Sequence, residues 1–423
     1  MSTDELEYLH SLEEQWEDEM VEEHTPAAKD WSLDITTTVS APVNNTPNAD
    51  IANENITFSK RPLLTLEDKY TLNDLGTGVA ALPDSTNRHA NYIDLQYQSP
   101  FVGAPEWQWR LQVSKQSPGD ETAVDYSVSR YRESVSSYET GIVWDAAPSS
   151  PHSTALEAGV EWQRIQVDYN DIKQKQDLIK PFLALYYRHI QQDHDRIVNG
   201  GLRLEKNLSA VTGATTRAYE RLGRPGVDKD YSILSADLGV LWRHQPSRLS
   251  SFRLWGRTSL GESLLTQEQS ELGGVNSIRG YPDGQVLVDS YYAASLEHRW
   301  VLESGPSALD KWALSIFAEG GWFERNAAGA VYQPRGVGQA YQAAPNDGEL
   351  ASVGLSSHWT FNHNLELTLD YGVVLKQFKD RRQAVDSNTG EFRSILARPE
   401  NHGQDREVNE GDSEVNLRLK MRF

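Results

Sequence analysis

The segment 272–281 carries an arginine among residue types that form a tight turn. Its candidate functional residues are Gly273, Gly274, Ile278, Arg279, Gly280 and Tyr281. Because glycine adopts backbone angles that other residues avoid, Gly280 lets the chain turn sharply beside the charged side chain. A guanidinium group forms strong, often paired hydrogen bonds with a carboxylate. The sequence therefore predicts a turn that presents Arg279 to an acid elsewhere in the chain.

Glu319 is the acid that a later strand places opposite such a turn. The apolar residues that alternate there are Trp312, Leu314, Ile316 and Ala318. Since successive side chains of a strand point to opposite faces, Phe317 and Glu319 project from the other face. We expect Phe317, Glu319 and Gly320 to form the wall that receives Arg279, with Tyr281 packed against it. If the charge pair is buried, loss of one partner costs about 3 to 5 kcal/mol.

The composition excludes several classes of protein. Mean hydropathy is −0.59, and no apolar run approaches the roughly 18 to 20 residues that a membrane helix needs. A membrane β-strand needs an apolar residue only at every second position, so a barrel stays compatible with this composition. The chain has no cysteine, which argues against a disulfide scaffold or a thiolate metal site. The net charge of −21 argues against nucleic acid as a partner.

Alternation of apolar and polar residues dominates the chain after residue 57. In the last strand Val415, Leu417, Leu419, Met421 and Phe423 alternate with polar or charged residues. A soluble β-sandwich alternates as well. Here, however, charges recur on the polar face of successive strands, and tryptophans cluster toward strand ends as in an aromatic girdle. The sequence thus predicts an all-β fold, a 16-stranded antiparallel transmembrane β-barrel.

Eleven of the sixteen predicted strands precede the arginine turn, and five follow it. Their spans are 58–70, 73–83, 89–99, 106–116, 122–132, 137–146, 154–169, 177–190, 197–208, 232–244, 251–261, 285–302, 311–323, 349–361, 363–376 and 412–423. In the second half short and long connections alternate, as they do in outer-membrane barrels with short turns on one side. The pattern does not determine the exact number of strands in the first half of the chain.

The region before the predicted barrel divides into two parts. Residues 1–24 are predicted to form an acidic amphipathic helix, because Ser2 and Glu5 have capping-box spacing and apolar residues follow at three- and four-residue steps. Residues 25–56, rich in Thr, Asn, Pro and Ala, are predicted to be a linker, and residues 57–423 the barrel. The chain begins without a basic, apolar leader, so we expect a signal segment outside this sequence.

These motifs resemble those of the outer-membrane barrel-assembly and two-partner-secretion transporters, the BamA, TamA and FhaC/ShlB types. That family has a sixteen-stranded barrel with an inward-folded loop between strands eleven and twelve, tipped by Val/Ile, Arg, Gly and Phe/Tyr. Residues 278–281 match this tip, and residues 317–321 resemble a Phe-x-Asp-x-Gly segment of strand thirteen. The resemblance covers about residues 57–423. It implies that Arg279 pairs with Glu319 inside the lumen.

The chain departs from the family pattern in three places. Glu319 replaces the usual aspartate. In the C-terminal strand signal, Leu419, Met421 and Phe423 are kept, but Arg418 stands where glycine is common. About 56 residues precede the predicted barrel, too few for one of the periplasmic POTRA modules that receive substrate in the family. We expect either that these modules lie outside this sequence or that this is a reduced member.

The resemblance implies polypeptide translocation or secretion through a gated barrel in the bacterial outer membrane, of the TpsB type. The alternatives are an assembly and insertion factor of the BamA or TamA type, and a passive or structural pore. The expected partners are outer-membrane lipid, a secreted or outer-membrane polypeptide, and periplasmic or barrel-assembly proteins. An N-terminal helix plugs the pore in the secretion branch; here residues 2–23 would span about 33 Å. A partner-binding role for this helix is the alternative.

The sequence gives no indication of an enzyme. His298 and His358 lie on predicted strands without a nucleophile motif, and His298 shares the lipid-facing parity of Leu296. Asp283 and Asp289 do not have the spacing of a calcium loop. We therefore expect no catalytic residues, no metal and no cofactor.

Overall fold

The computed structural model describes the greater part of the chain, in segments. These are residues 31–42, 50–60, 69–76, 91–101, 103–117, 122–124, 129–147, 150, 152–169, 172–191, 195–220, 227–245, 247–274, 277–282, 286–302, 309–326, 339–342, 346–361, 365–378, 381–386, 392–396 and 408–422. The predicted helix 1–24, Asp283 and Phe423 lie outside the described residues.

The described residues form an almost entirely β structure. In chain order the strands are β1 (Trp31–Pro42), β2 (Asp50–Lys60), β3 (Lys69–Gly76), β4 (Asn91–Phe101), β5 (Ala104–Ser117), β6 (Thr122–Val124), β7 (Ser129–Asp145), β8 (His152–Tyr169), β9 (Ile172–Ile190), β10 (Arg196–Lys206), β11 (Ser232–Gln245), β12 (Arg248–Thr258), β13 (Ser270–Leu272), β14 (Val286–Val288), β15 (Ser290–Leu302), β16 (Leu309–Arg325), β17 (Gln339–Gln342), β18 (Asn346–Phe361), β19 (Leu365–Val374), β20 (Arg381–Asp386), β21 (Phe392–Leu396) and β22 (Ser413–Arg422). Two short helices, α1 (Ser209–Thr212) and α2 (Thr216–Glu220), lie between β10 and β11.

One large antiparallel sheet contains seventeen of these strands. The short β6 only extends the hairpin with β7, which leaves sixteen strands in the main series. Each pairs with the strand before and after it in the series, and β22 pairs with both β19 and β1. This arrangement confirms the predicted antiparallel β-barrel. The strands β12 and β15, which flank the arginine turn, are the eleventh and twelfth of the series, as predicted.

The two faces of the strands have opposite polarity, and the apolar face is the exposed one. On β8, Leu156 is 48% exposed whereas the neighbouring Glu157 is 2% exposed. On β16, Ile316 is 48% exposed while Glu319 is buried. A soluble sheet would bury its apolar face. The reversed polarity fits a barrel whose outer surface contacts lipid and whose lumen is polar.

The sequence-based prediction is wrong at the start of the sheet. Residues 31–42 and 50–56, assigned to a linker, form β1 and the first part of β2, so the sheet begins before residue 57. The segments 122–132 and 137–146 are predicted as separate strands, but residues 129–145 form the single strand β7 and residues 122–124 form the short β6. Runs of Thr, Ser and Asn form strands here because a polar lumen requires no apolar residue on the inner face. Pairing with neighbouring strands supplies the backbone hydrogen bonds.

Two long connections at the same end of the sheet pack together. The connection from β10 to β11 carries α1 and α2, and its Tyr219 is fully buried with Leu264 and Leu265 of the connection from β12 to β15. Inward residues Ile165 and Leu178 belong to the same cluster. Among the described residues, no helix has the length and apolar character needed to cross a membrane.

Candidate functional site

The connection from β12 to β15 folds as a small hairpin. Strands β13 and β14 pair antiparallel, and the tip between them carries the arginine. Three tip glycines have positive φ: Gly273 (99°), Gly274 (93°) and Gly280 (91°). Because L-residues with a Cβ rarely adopt these angles, glycine permits the tight path at each position. The backbone N–H of Gly274 donates to the carbonyl of Ile278, 3.2 Å away, which closes the tip.

Arg279 lies at the centre of a cluster of three carboxylates. Its Nη2 is 2.6 Å from Oε1 of Glu319 and 3.0 Å from Oε2 of Glu297, and its Nη1 is 3.2 Å from Oδ1 of Asp370. The acids belong to β16, β15 and β19 respectively. The arginine side chain is only 12% exposed. A single guanidinium thus connects the loop tip to three strands of the wall.

Glu319 contacts both the side chain and the backbone of Arg279. The Arg279 backbone N–H donates to Oε2 at 2.6 Å, and Nε donates to Oε1 at 2.8 Å. The hydroxyl of Ser295 donates to the same Oε1 at 3.2 Å. Burial by itself lowers the pKa of Arg279, but Glu319, Glu297 and Asp370 outweigh it and raise the pKa above its ordinary value. The arginine therefore stays charged at any physiological pH.

Phe317 supports the arginine from one side. The guanidinium carbon of Arg279 lies 3.5 Å from the centre of the Phe317 ring, within the range of a cation–π contact. Phe317 is itself buried, and its ring packs over Gly354 of β18. The structure thus brings together Arg279, Phe317 and Glu319, which the sequence analysis placed on facing surfaces.

The glycines of the strand-thirteen segment divide between the two faces of β16. Gly320 is a predicted site residue, but the nearest atoms to where its Cβ would lie belong to Leu350, at 3.5 Å, and Ala351, both on β18. The contact with the loop therefore does not involve Gly320. Gly321 is the glycine under the loop, since a Cβ there would lie 3.0 Å from Cδ1 of Ile278. Alternation along the strand predicts this, because Gly321 has the parity of Glu319.

Tyr281 attaches the end of the tip to the wall. Its hydroxyl donates to the carbonyl of Lys376 at 2.5 Å and accepts from the backbone N–H of Ala351 at 3.0 Å. Burial raises the pKa of Tyr281, so the hydroxyl stays protonated and able to donate. The ring is fully buried in an apolar cluster inside the barrel. Other members of this cluster are Leu272, Ile278, Val286, Val288, Tyr291, Phe323, Leu350 and Val374.

Three residues of the site are absent from the residues predicted for it. Glu297 and Asp370 accept from Arg279, and Gly372 allows the loop tip to approach β19. The alternation of side chains along their strands places all three residues on the inner face. The sequence therefore indicated that the two acids face the lumen. The sequence did not indicate how far along the wall the guanidinium would reach, because that depends on the curvature of the sheet.

The C-terminal strand residues lie apart from the loop. β22 includes Leu419 and Met421, whose partners on β19 are Leu367 and Leu365. Leu419 is half-buried. These residues therefore contribute to strand pairing next to β1 rather than to the arginine site.

The histidines considered as catalytic candidates make local contacts. His298 lies beside Leu296 on the outer parity, and its Nδ1 is 2.8 Å from Oγ of Ser250. His358 points inward, with Nδ1 2.7 Å from Oγ1 of Thr368. In the part of the chain that the structure describes, no cluster of three or more His, Asp or Glu residues could hold a metal ion.

Protein-family models give no match to this sequence, and neither do curated proteins. Among solved structures, CdiB from Escherichia coli matches with a TM-score of 0.64 and 12% identity over 94% of this chain and 64% of that chain. CdiB from Acinetobacter baumannii matches with a TM-score of 0.62 and 13% identity over 94% and 61%. BamA from Haemophilus ducreyi, lacking POTRA domains 1–3, matches with a TM-score of 0.52 and 10% identity over 94% and 71%. This chain spans less than two thirds of either CdiB chain.

These similarities define the class of protein. The chain has the fold of bacterial outer-membrane β-barrels, in agreement with the predicted location. Within that class, its fold is like that of the CdiB and BamA structures, which confirms the predicted resemblance at the level of fold.

Proposed function

We propose that this protein translocates a polypeptide across the outer membrane, as a gated transporter of the TpsB type. The inward loop is the gate, and the pair of Arg279 with Glu319 holds its tip against the wall. Outer-membrane lipid and a secreted polypeptide are the partners that this function requires, and no cofactor takes part.

The three-carboxylate site around Arg279 is the observation that carries this proposal. A passive pore has a water-filled channel, whereas this loop places a hairpin inside the barrel and attaches it to β15, β16 and β19. A charge-assisted contact of this kind is specific, because the guanidinium must align with each carboxylate. Such a contact suits a gate that must hold and then open.

Secretion is the first proposal, and the two CdiB structures match this chain with higher TM-scores than BamA does. The alternative is an assembly factor, because the fold of this chain is also similar to that of BamA. A strain that lacks this chain separates the two functions. Secretion predicts that one extracellular polypeptide disappears from the medium while outer-membrane proteins keep their abundance. A general fall in outer-membrane proteins would instead establish the assembly role.

We also propose that residues 1–24 plug the lumen. The lumen contains cations that an acidic helix would contact, because four arginines lie on the inner faces of their strands: Arg110, Arg203, Arg257 and Arg299. Each of them also forms an ion pair with an acid of the barrel wall. A deletion of residues 1–30 tests this part separately from the loop.

Single-channel recording in planar bilayers tests the gate. The intact chain is compared with Arg279→Ala, with the deletion of residues 1–30, and with Arg248→Ala. The last variant is the matched control, because Arg248 is exposed at the start of β12 and far from the loop. We expect a quiet intact pore that opens in the first two variants only. Steady conductance that is the same in all four proteins would overturn the gate and favour a passive pore.

A further inference from the structure

The inward loop carries a second buried charge, at its base. Glu268 lies in the turn Thr266–Glu268 that follows β12, and its side chain is 3% exposed. Its Oε1 accepts from Nζ of Lys180 at 2.9 Å. Lys180 lies on β9, and its side chain is 4% exposed. Two such groups are found in a protein interior only when they are paired.

Further charges surround this pair. Nζ of Lys180 is also 3.1 Å from Oε2 of Glu161 on β8, and Oε2 of Glu268 is 3.5 Å from Nη2 of Arg257 on β12. The base of the loop is therefore attached to β9 and β12 directly, and to β8 through Lys180. None of them is a strand that the tip contacts through Arg279.

The attachment continues along the wall as a chain of ion pairs. Nη2 of Arg257 is 3.3 Å from Oε1 of Glu205, whose Oε2 is 3.3 Å from Nε of Arg203. Nη2 of Arg203 is 2.7 Å from Oε2 of Glu139, which also pairs with Arg110. These residues lie on β12, β10, β7 and β5. Through Glu268 the loop base is thus connected to the side of the barrel away from the tip site.

Apolar packing restrains the same part of the loop. Leu264 and Leu265, just before Glu268, are fully buried against Leu178 of β9 and Tyr219 of α2. The tip, by contrast, is held by charges and by its own hydrophobic cluster around Tyr281. The two ends of the loop therefore have separate sets of contacts, and separate contacts can be released independently.

We propose that Glu268 is a positioning residue that tethers the base of the inward loop to Lys180, independently of the tip contact at Arg279. This inference rests on the proposed gate and deepens it. Release of the tip alone opens the lumen in part, since the base and the helices packed on it stay in place. Release of both attachments clears the lumen.

Single-channel recording of Arg279→Ala, Glu268→Gln and the double variant tests the proposal. Glu349→Gln is the matched control, because Glu349 forms an ion pair with Lys376 in which both side chains are exposed. We expect Arg279→Ala to open to a partial level and Glu268→Gln to stay mostly closed. We expect the double variant to reach a larger level, with an open probability roughly tenfold above that of Arg279→Ala, the change that about 1.4 kcal/mol produces.

The outcomes separate the two proposals. If the intact chain conducts steadily and Arg279→Ala is the same, the gate itself is wrong. If Arg279→Ala opens but the addition of Glu268→Gln changes neither level nor open probability, only the tether is wrong. Glu349→Gln must leave the recordings of Arg279→Ala unchanged.

Chemical labelling supplies a readout that does not depend on conductance. The chain has no cysteine, so Ser277→Cys introduces a unique thiol at the loop tip. We expect a bulky maleimide to label this thiol faster in the double variant than in either single variant. Glu268→Asp, which keeps the charge on a shorter side chain, replaces Glu268→Gln if the latter does not fold. Equal labelling rates in Arg279→Ala and the double variant would contradict the tether.

Discussion

Gly372 of β19 lies directly against Gly280 of the loop tip. A Cβ at position 372 would stand 2.5 Å from the backbone nitrogen of Gly280 and 2.7 Å from its Cα. Real Cβ atoms do not approach backbone this closely, so the contact exists only because both residues are glycine. This close approach brings the side chain of Arg279 within 3.2 Å of Asp370, which lies two residues before Gly372 on β19.

Gly372→Ala is therefore expected to displace the loop tip. The added methyl group has no space, and overpacking of this kind costs about 1 to 3 kcal/mol. The measurement is the temperature at which the barrel unfolds, followed by heat-dependent gel mobility, together with the fraction of quiet pores. Gly320→Ala is the control, since a Cβ there has no neighbour nearer than 3.5 Å. Equal behaviour of the two variants would contradict the close approach.

Arg279→Ala is expected to destabilise the barrel more than Glu319→Gln does. Removal of the arginine takes the shared cation from three neighbouring carboxylates, of which Glu297 keeps its ion pair with Arg299. Loss of one partner of a buried pair costs about 3 to 5 kcal/mol. Glu319→Gln leaves Glu297 and Asp370 to hold the guanidinium. Urea titration in lipid vesicles, followed by tryptophan fluorescence, gives both free energies of unfolding. The reverse order of stability would mean that Glu319 alone holds Arg279.

Tyr281→Phe is expected to lower the free energy of unfolding by about 1 to 3 kcal/mol, because the Ala351 N–H and the Lys376 carbonyl lose their partner. The same urea titration measures the loss. Tyr292→Phe is the control, because Tyr292 is 52% exposed on the outer face and stacks on Trp322. A loss of equal size in both variants would show that the buried hydroxyl does not anchor the tip.

Phe317→Leu is expected to weaken the hold on Arg279 by about 0.5 to 2 kcal/mol through the lost cation–π contact. The change also removes part of a buried ring, so Phe323→Leu serves as the reference for that effect. Phe323 is fully buried and contacts Phe378 edge to face. A double-mutant cycle with Arg279→Ala, which removes the cation, isolates the coupling. Coupling at position 317 no larger than at 323 would exclude the cation–π contribution.

Local alternation determined most of the strands and the direction in which each side chain points. Because the side-chain period of a strand is two residues, Glu319 and Phe317 could be placed on the inner face of β16 from their neighbours alone. The same pattern located β15, β18, β19 and β22. The sequence did not indicate β1 and β2, since their Thr- and Asn-rich segments become strands through pairing with each other, with β22 next to β1 and with β3 next to β2.

The contacts of the inward loop were decided by the tertiary structure. Arg279 reaches Asp370, 91 positions later in the chain, and Glu268 reaches Lys180, 88 positions earlier. No local pattern specifies such pairs, because they depend on the curvature of the whole sheet and on the path of the hairpin across the lumen. The sequence determined which residues face inward, whereas the curved wall decided which of them meet.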